Sequence, residues 1–228
     1  MVGERGMNGK GLITTVEFDV AHFKVHTTMK GRATYLLPLP STIIGFFFSI
    51  MGFNRDTFIQ KRNEFLSGVQ IVDLKGVSRE NAQLLKLKPN REVKTTEEIM
   101  VLFRPTYKFA IWGATDFIET LFEKIERYDF TFVPYGGVSD FVFWDIRDSC
   151  TIENYSPSDE ISNSYAPYDI VESPSLSEGG VIYSLPYLNE GSAKKAVMTY
   201  NTSLNLKTKV PTLEGVPIYR VPLEVATL

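Results

Sequence analysis

Apolar and polar residues alternate in LITTVEFDV, where Leu12, Thr14, Val16, Phe18 and Val20 share one side and Thr15, Glu17 and Asp19 the other. That period of two predicts a first strand. The parity then slips, with Phe23 and Val25 on the other set, so a bulge or bend is expected near His22. A different pattern follows: twelve nearly unbroken apolar residues from Thr42 to Phe53. A bilayer span needs roughly 20, and a secretory apolar region lies close to the N-terminus, whereas some forty residues precede this run. The run predicts a core helix over 41–52, with Ser41 or Thr42 as cap, Pro38 and Pro40 keeping the approach extended, and Gly52 near its end.

Helical spacing returns in NRDTFIQKRNEFLSG, which places Asp56 as a cap, Phe58, Arg62, Phe65 and Leu66 on one course, and Gly68 as a stop. Strands are expected over 69–77 and over 103–112, the latter with Pro105 marking a start or an edge. TDFIETLFEKIERY reads as a helix, Asp116 and Glu119 forming its cap pair and Phe117, Leu121, Ile125 and Tyr128 its buried face. A glycine turn then leads into a strand over 138–146. Strand, helix, strand, strand, helix, strand is the ferredoxin-like (RRM-like) order, an α+β fold. The division expected is a mobile stretch over 1–10, the ferredoxin-like domain over 11–149, and a β-rich C-terminal lobe over 150–228 built on GVIYSL, AVMTYNTSL and VPIYRVPLEV.

Composition narrows the classes. With 228 residues, 43% hydrophobic and 13% aromatic, the chain can bury one large core or two modest ones, and disorder is excluded for most of it. The lone Cys150 rules out an internal disulfide framework and suits a reducing cytosol, and with two histidines it leaves few ligands for zinc. No metal or cofactor is expected, and the chain is expected to be cytoplasmic. Net charge is −3, yet residues 151–193 hold seven acidic side chains and no Lys or Arg, so the rest of the chain carries +4. The acidity is segregated.

Two stretches concentrate the basic residues. HFKVHTTMKGRATY carries His22, Lys24, His26, Lys30 and Arg32 with no acid, interleaved with Thr27, Thr28, Thr34 and Tyr35. Cations, hydroxyls and an aromatic in one loop suit phosphate contact with base stacking; alternatively Tyr35 packs under the first helix and His22 is an ordinary strand residue. Between the middle strands, SRENAQLLKLKPNREVKTTEEIM has no place in a plain ferredoxin-like core. With Pro89-Asn90 as the tip of a hairpin, Lys88 faces Arg91, and Lys86 and Lys94 lie nearby. Like charges across strands destabilise each other, and a polyanion between them removes that penalty; the alternative is a solvated loop. Gly136-Gly137 permits either a close approach to a ribose or phosphate or a tight turn. Trp112 and Trp144 are assigned to core or subunit contacts. Walker, nucleophile-elbow, zinc-protease and dinucleotide motifs are all absent.

The segment FDVAHFKVHTTMKGRATYLLPLPSTIIGFFFSIMGF resembles the N-terminal signature of the CRISPR-associated Cas-five family, in which a basic loop with Thr and Tyr leads through Pro-x-Pro into an apolar helix ending in Gly. FRPTYKFAIWG is similar to that family's middle strand and FVPYGGVSD to its glycine turn, so the likeness covers about 12–145. The resemblance implies a hairpin thumb at about 79–102 inserted in the ferredoxin-like core. It further implies a non-catalytic subunit of a type I CRISPR RNA-guided surveillance (Cascade) complex in antiviral defence. Such a subunit binds the 5′ handle of crRNA, contacts the backbone (Cas-seven) and large (Cas-eight type) subunits, meets target DNA through the complex, and has no membrane partner. The RNA contacts it implies are Lys24, His26, Lys30, Arg32 and Tyr35 in the loop, Lys86, Lys88, Arg91 and Lys94 in the thumb, Arg104 and Lys108 on the middle strand, and Gly136 and Gly137 in the turn.

One branch of the family cuts repeat RNA with Tyr, Lys and His side chains and no metal. Here Tyr107 and Lys108 lie on the middle strand but no His follows them, which counts against cleavage; the trio left for that alternative is Tyr35, His26 and Lys24. A third reading is a protein-interaction scaffold that touches no RNA.

Overall fold

The computed structural model describes residues 9–25, 32–88, 91–175, 178–189 and 191–226; side chains of 84–88, 91, 175, 185 and 189 are outside the description. The chain enters as β1 (Lys10–Phe18), breaks at Asp19, resumes as β2 (Val20–Ala21), bends at His22, and leaves the sheet as β3 (Phe23–Lys24) to pair with β4 (Thr34–Tyr35). The expected bend near His22 is present. Order starts earlier than expected, because Lys10 already belongs to β1 and its ammonium bridges Glu119 and Glu153 at 3.1 and 2.9 Å. Residues 1–8 lie outside the description.

The apolar run forms α1 (Pro40–Met51). Its cap is Leu39, with Pro40 at the first helical position, so Ser41 and Thr42 are inside the first turn and cap nothing. Proline suits that position because its missing N–H has no intrahelical partner there. Gly52 closes the helix at φ 78°, and the N–H groups of Gly52 and Phe53 donate to Ser49 O and Phe48 O. α2 (Arg55–Lys61) is capped by Asn54, whose side chain accepts from Thr57 N at 2.9 Å; the expected cap, Asp56, sits in the first turn. Gly68 stops no helix. It lies in a strand, where a Cβ would fall 1.7 Å from Pro217 O.

That strand, β5 (Leu66–Lys88), and its partner β6 (Arg91–Gly113) form one hairpin paired from Leu66↔Trp112 to Lys88↔Arg91, with a one-residue register shift between Ile71 and Asp73. The thumb is therefore no insertion between separate strands; the two central strands simply run on. Past Arg79↔Met100 the arms extend about 30 Å at the usual rise per residue. Pro105 is neither a start nor an edge. It sits in mid-strand opposite Leu74, where the β1–β6 pairing has ended at Glu17↔Thr106 and Arg104, at φ 45°, turns its N–H to Asp19 O.

α3 (Thr115–Glu126) starts from Ala114 with no side-chain cap, and Asp116 lies in its first turn. It buries Ile118, Leu121 and Ile125, while Phe117 is half-buried and Tyr128, beyond the helix, is exposed. β7 (Phe143–Ile152) begins later than expected and runs through residue 149, so the division at 149–150 falls inside a strand. Across the sheet the order is β7-β1-β6-β5, every neighbour antiparallel. Leu12, Val16, Phe109, Ile111 and Ile146 on one face pack with Ile43, Phe47 and Phe48 of α1 and Leu121 of α3.

The rest of the chain is β-rich: β8 (Ser156–Ser162), β9 (Tyr165–Pro167), β10 (Val171–Ser175), β11 (Val181–Asn189), β12 (Ser192–Tyr200), β13 (Ser203–Leu213) and β14 (Val216–Pro217). β13 pairs with β8, β10 and β14, and β12 with β9 and β11. Of the expected strand over 216–225 only the first two residues are strand. Ile161, Tyr165, Met198, Leu204 and Tyr219 join the same buried cluster as α1 and β1. The fold is α+β and mostly sheet. Among the described residues, no helix is long and apolar enough to cross a membrane.

Candidate nucleic-acid interface

Three pieces of chain meet beside the start of α1. The bend at His22 fixes the first, since His22 N donates to Gly136 O at 2.9 Å, and Phe23 N donates to Thr34 Oγ1 at 2.8 Å. The glycine turn is the second. A Cβ on Gly136 would lie 2.9 Å from that of Ala21, and one on Gly137, at φ 85°, would lie 2.1 Å from His22 O. The glycines therefore seat the turn against the bend. Between bend, turn and the first turns of α1 lies a pocket of about 310 Å³, lined among others by Lys24, Tyr35, Ser41, Thr42, Tyr135 and Gly137.

The positive end of the α1 dipole opens there, with no acidic residue in the first turn and no side-chain cap. Lys24 is exposed on the pocket rim. Aromatic rings, hydroxyls, a cation and a helix N-terminus around one opening can hold a phosphate and a ring together. Ser41, Gly45 and Ser49 line it from one helix face. The sequence carries their signal, small or polar residues every fourth place inside an apolar run, and a count of basic residues does not include them.

The other expected contacts scatter. Tyr35 is 2% exposed and its hydroxyl donates to Pro186 O at 2.6 Å, so its ring packs rather than offering a face to a base. Arg32 Nε is 3.1 Å from Glu97 Oε2, and the Arg32 backbone bonds Glu98 O and Met100 N, clasping the loop to the hairpin stem. His26 and Lys30 lie outside the described residues. At the thumb tip the expected Lys88↔Arg91 pairing is present; Lys86 opposes Val93 and Lys94 opposes Leu85, with Lys94 exposed. The side chains of Lys86, Lys88 and Arg91 are outside the description.

Arg104 and Lys108 do not join the pocket. Their strand neighbours Tyr107 and Phe109 face the helices, whereas Lys108, half-buried, lies on the opposite side near Cys150, and Arg104 pairs with Asp19 at 3.4 Å. Tyr107 is fully buried and its hydroxyl donates to Leu36 O at 2.7 Å; burial pushes its pKa well up, so it stays protonated. His22 is 2% exposed and its Nδ1 lies 2.7 Å from Met100 O; it packs at the bend between β2 and β3, outside either strand.

Residues 11–103 match the model of a family described as "CRISPR-associated protein (Cas_Cas5)". The resemblance read from the loop and proline-helix motif is thus borne out over that span. No curated protein matches the chain. Among solved structures, the chain is similar to one described as "CRISPR RNA-guided surveillance complex", with 14% identity, 89% of this chain and 91% of that one covered, and a TM-score of 0.48. A structure of a "Cas protein" gives 16% identity, 93% and 99% coverage, and a TM-score of 0.41. A type III-B Cmr-beta structure bound to target RNA and AMPPnP gives 10%, 89% and 86%, and 0.39.

Proposed function

We propose that the chain is a non-catalytic subunit of a type I CRISPR RNA-guided surveillance complex, and that it holds the 5′ handle of crRNA beside α1. The observation that carries this is the meeting of the bend that bears Lys24, the glycine turn and the uncapped start of α1 around one pocket, with Lys24 on its rim. The family match over 11–103 supports it. The strand order β7-β1-β6-β5, fourth-first-third-second along the chain, with both helices on one face, supports a ferredoxin-like core. The long hairpin answers to the thumb, its basic tip directed to guide RNA or to a Cas-seven backbone subunit. A Cas-eight type subunit and, through the complex, target DNA complete the partners.

The cleavage alternative draws no support from Tyr35 or Tyr107, because both hydroxyls are spent on backbone carbonyls. The test is to co-express the chain with its neighbouring subunits and a CRISPR array, and to incubate labelled repeat RNA with the chain alone. A discrete guide RNA in the complex, lost as salt rises, together with an intact repeat is the expected result. Site-specific, metal-independent cutting by the chain alone overturns it.

A further inference from the structure

The sheet face turned away from α1 and α3 is only partly covered. Ile13, Leu66, Ala110 and Trp112 lie under Leu213, Val216, Ile218 and Ala226. Toward the break between β1 and β2 the same sheet carries an open groove of about 460 Å³, lined among others by Glu17, Asp19, Asp73, Lys75, Arg104 and Trp144. Every cation of this groove is already paired. Arg104 meets Asp19, Lys75 meets Asp73, and the adjoining Arg147 meets Glu17, Asp145 and Asp148. Three cations face five carboxylates, so a phosphate backbone is repelled. Trp144 is 74% exposed on the wall, and Val72 and Phe103, chain neighbours of Asp73 and Arg104, are 51% and 46% exposed. A solvated indole beside arginines is the composition of a protein contact, where such residues dominate the binding energy.

We propose that this groove docks a lysine- or arginine-bearing segment of a neighbouring protein subunit, which covers Trp144 and complements the surplus carboxylates. The proposal rests on the reading above only in taking that neighbour from the same complex. Opposite charge across an interface sets register and suppresses wrong partners, and the acid excess here selects a basic protein surface over a nucleic acid.

The test uses the full chain co-expressed with the backbone and large subunits and a CRISPR array, purified through a tag on this chain before and after ribonuclease. Trp144→Ala and the double variant Asp19→Lys with Asp73→Lys change side chains that are exposed (Trp144, Asp19) or half-buried at the groove (Asp73), so both are expected to melt near the wild type. A protein subunit should stay with the wild-type chain after ribonuclease and fall at least tenfold in both variants, while Lys24→Ala keeps it. Undiminished subunit in both variants overturns the groove, as does a contact that ribonuclease releases, or variants that change only self-association in light scattering. If the wild-type chain retains guide RNA and the variants retain every subunit, the groove alone fails. If the wild type brings down neither RNA nor subunit, the functional reading fails with it.

Discussion

The pocket beside α1 and the groove on the far side of the sheet both contain lysines or arginines next to aromatic rings, and they differ in how those cations are partnered. Lys24 stands on the rim of a pocket whose other polar groups are hydroxyls and a helix N-terminus. Arg104, Lys75 and Arg147 each face at least one carboxylate. A count of basic residues places Arg104 and Lys24 in one class; pairing puts them in two. What decides affinity for a polyanion is the field left after neighbours are satisfied, which is why we propose RNA for one surface and protein for the other.

The largest effect erases both surfaces. Ile44 of α1 is fully buried in the main core, and Ile44→Asp puts an unpaired carboxylate there at a cost of several kcal/mol against a total stability of about 5–15 kcal/mol. No cooperative melting transition is expected, and a melt near the wild-type temperature counts against this core. Next, Gly137→Ala should break only one side. Its Cβ would collide with His22 O at a backbone conformation that suits glycine, costing about 1–3 kcal/mol. Guide RNA retention should fall by more than tenfold while the subunit contact at Trp144 persists; equal loss of both would mean that the two surfaces are not independent.

Smaller changes sharpen the contrast. Lys24→Ala should leave stability within about 0.5 kcal/mol and lower the salt slope of RNA binding by about one, whereas Arg104→Ala should leave that slope alone. An unchanged slope for Lys24→Ala would remove it from the interface. Glu97→Gln takes the carboxylate from Arg32, an ion pair in which both side chains are about a quarter to a third exposed; such pairs contribute about 0–1 kcal/mol. Stability should barely move, and RNA retention should drop if the clasp to the hairpin sets the loop.

Elements whose cause is local were legible. β1 announces itself by alternation, α1 by its apolar run and closing Gly52, and the Lys88↔Arg91 pair by the basic residues read as facing each other there, Pro89 and Asn90 themselves lying outside the described residues. Features that depend on a distant partner were not. Gly68 resembles a helix stop until Pro217, some 150 residues later, is seen to need the space of its missing side chain. Arg104 reads as a free cation because Asp19 is 85 residues away, and Tyr35 as a stacking ring because Pro186 is 151 residues away. Asn54, not Asp56, caps α2 because the helix begins at Arg55: Asn54 is the extended residue just outside, and Asp56 falls in the first turn, where its charge meets the helix dipole.

The smallest effect concerns the bend at His22. His22 ties the glycine turn through its N–H and the hairpin stem through its ring, with Nδ1 2.7 Å from Met100 O and Nε2 buried without a hydrogen-bond partner. Burial chiefly holds its pKa below the ordinary value; the bond to Met100 O opposes this, and the charges of Arg32 and Lys24 add to the lowering. The folded ring is thus neutral where an unfolded one, titrating near about 6.5, has taken a proton. Because the unfolded state binds more protons there, stability falls with pH from about 6.5 down to the lowered folded value and levels off below it, with a slope of at most about 1.4 kcal/mol per pH unit. Melting temperatures from pH 7.5 to 5.0 should show that fall in the wild type. In His22→Gln the curve should start lower, having lost packing, and run flatter; parallel curves would assign the acid sensitivity to other groups and leave His22 a purely packing residue at the bend.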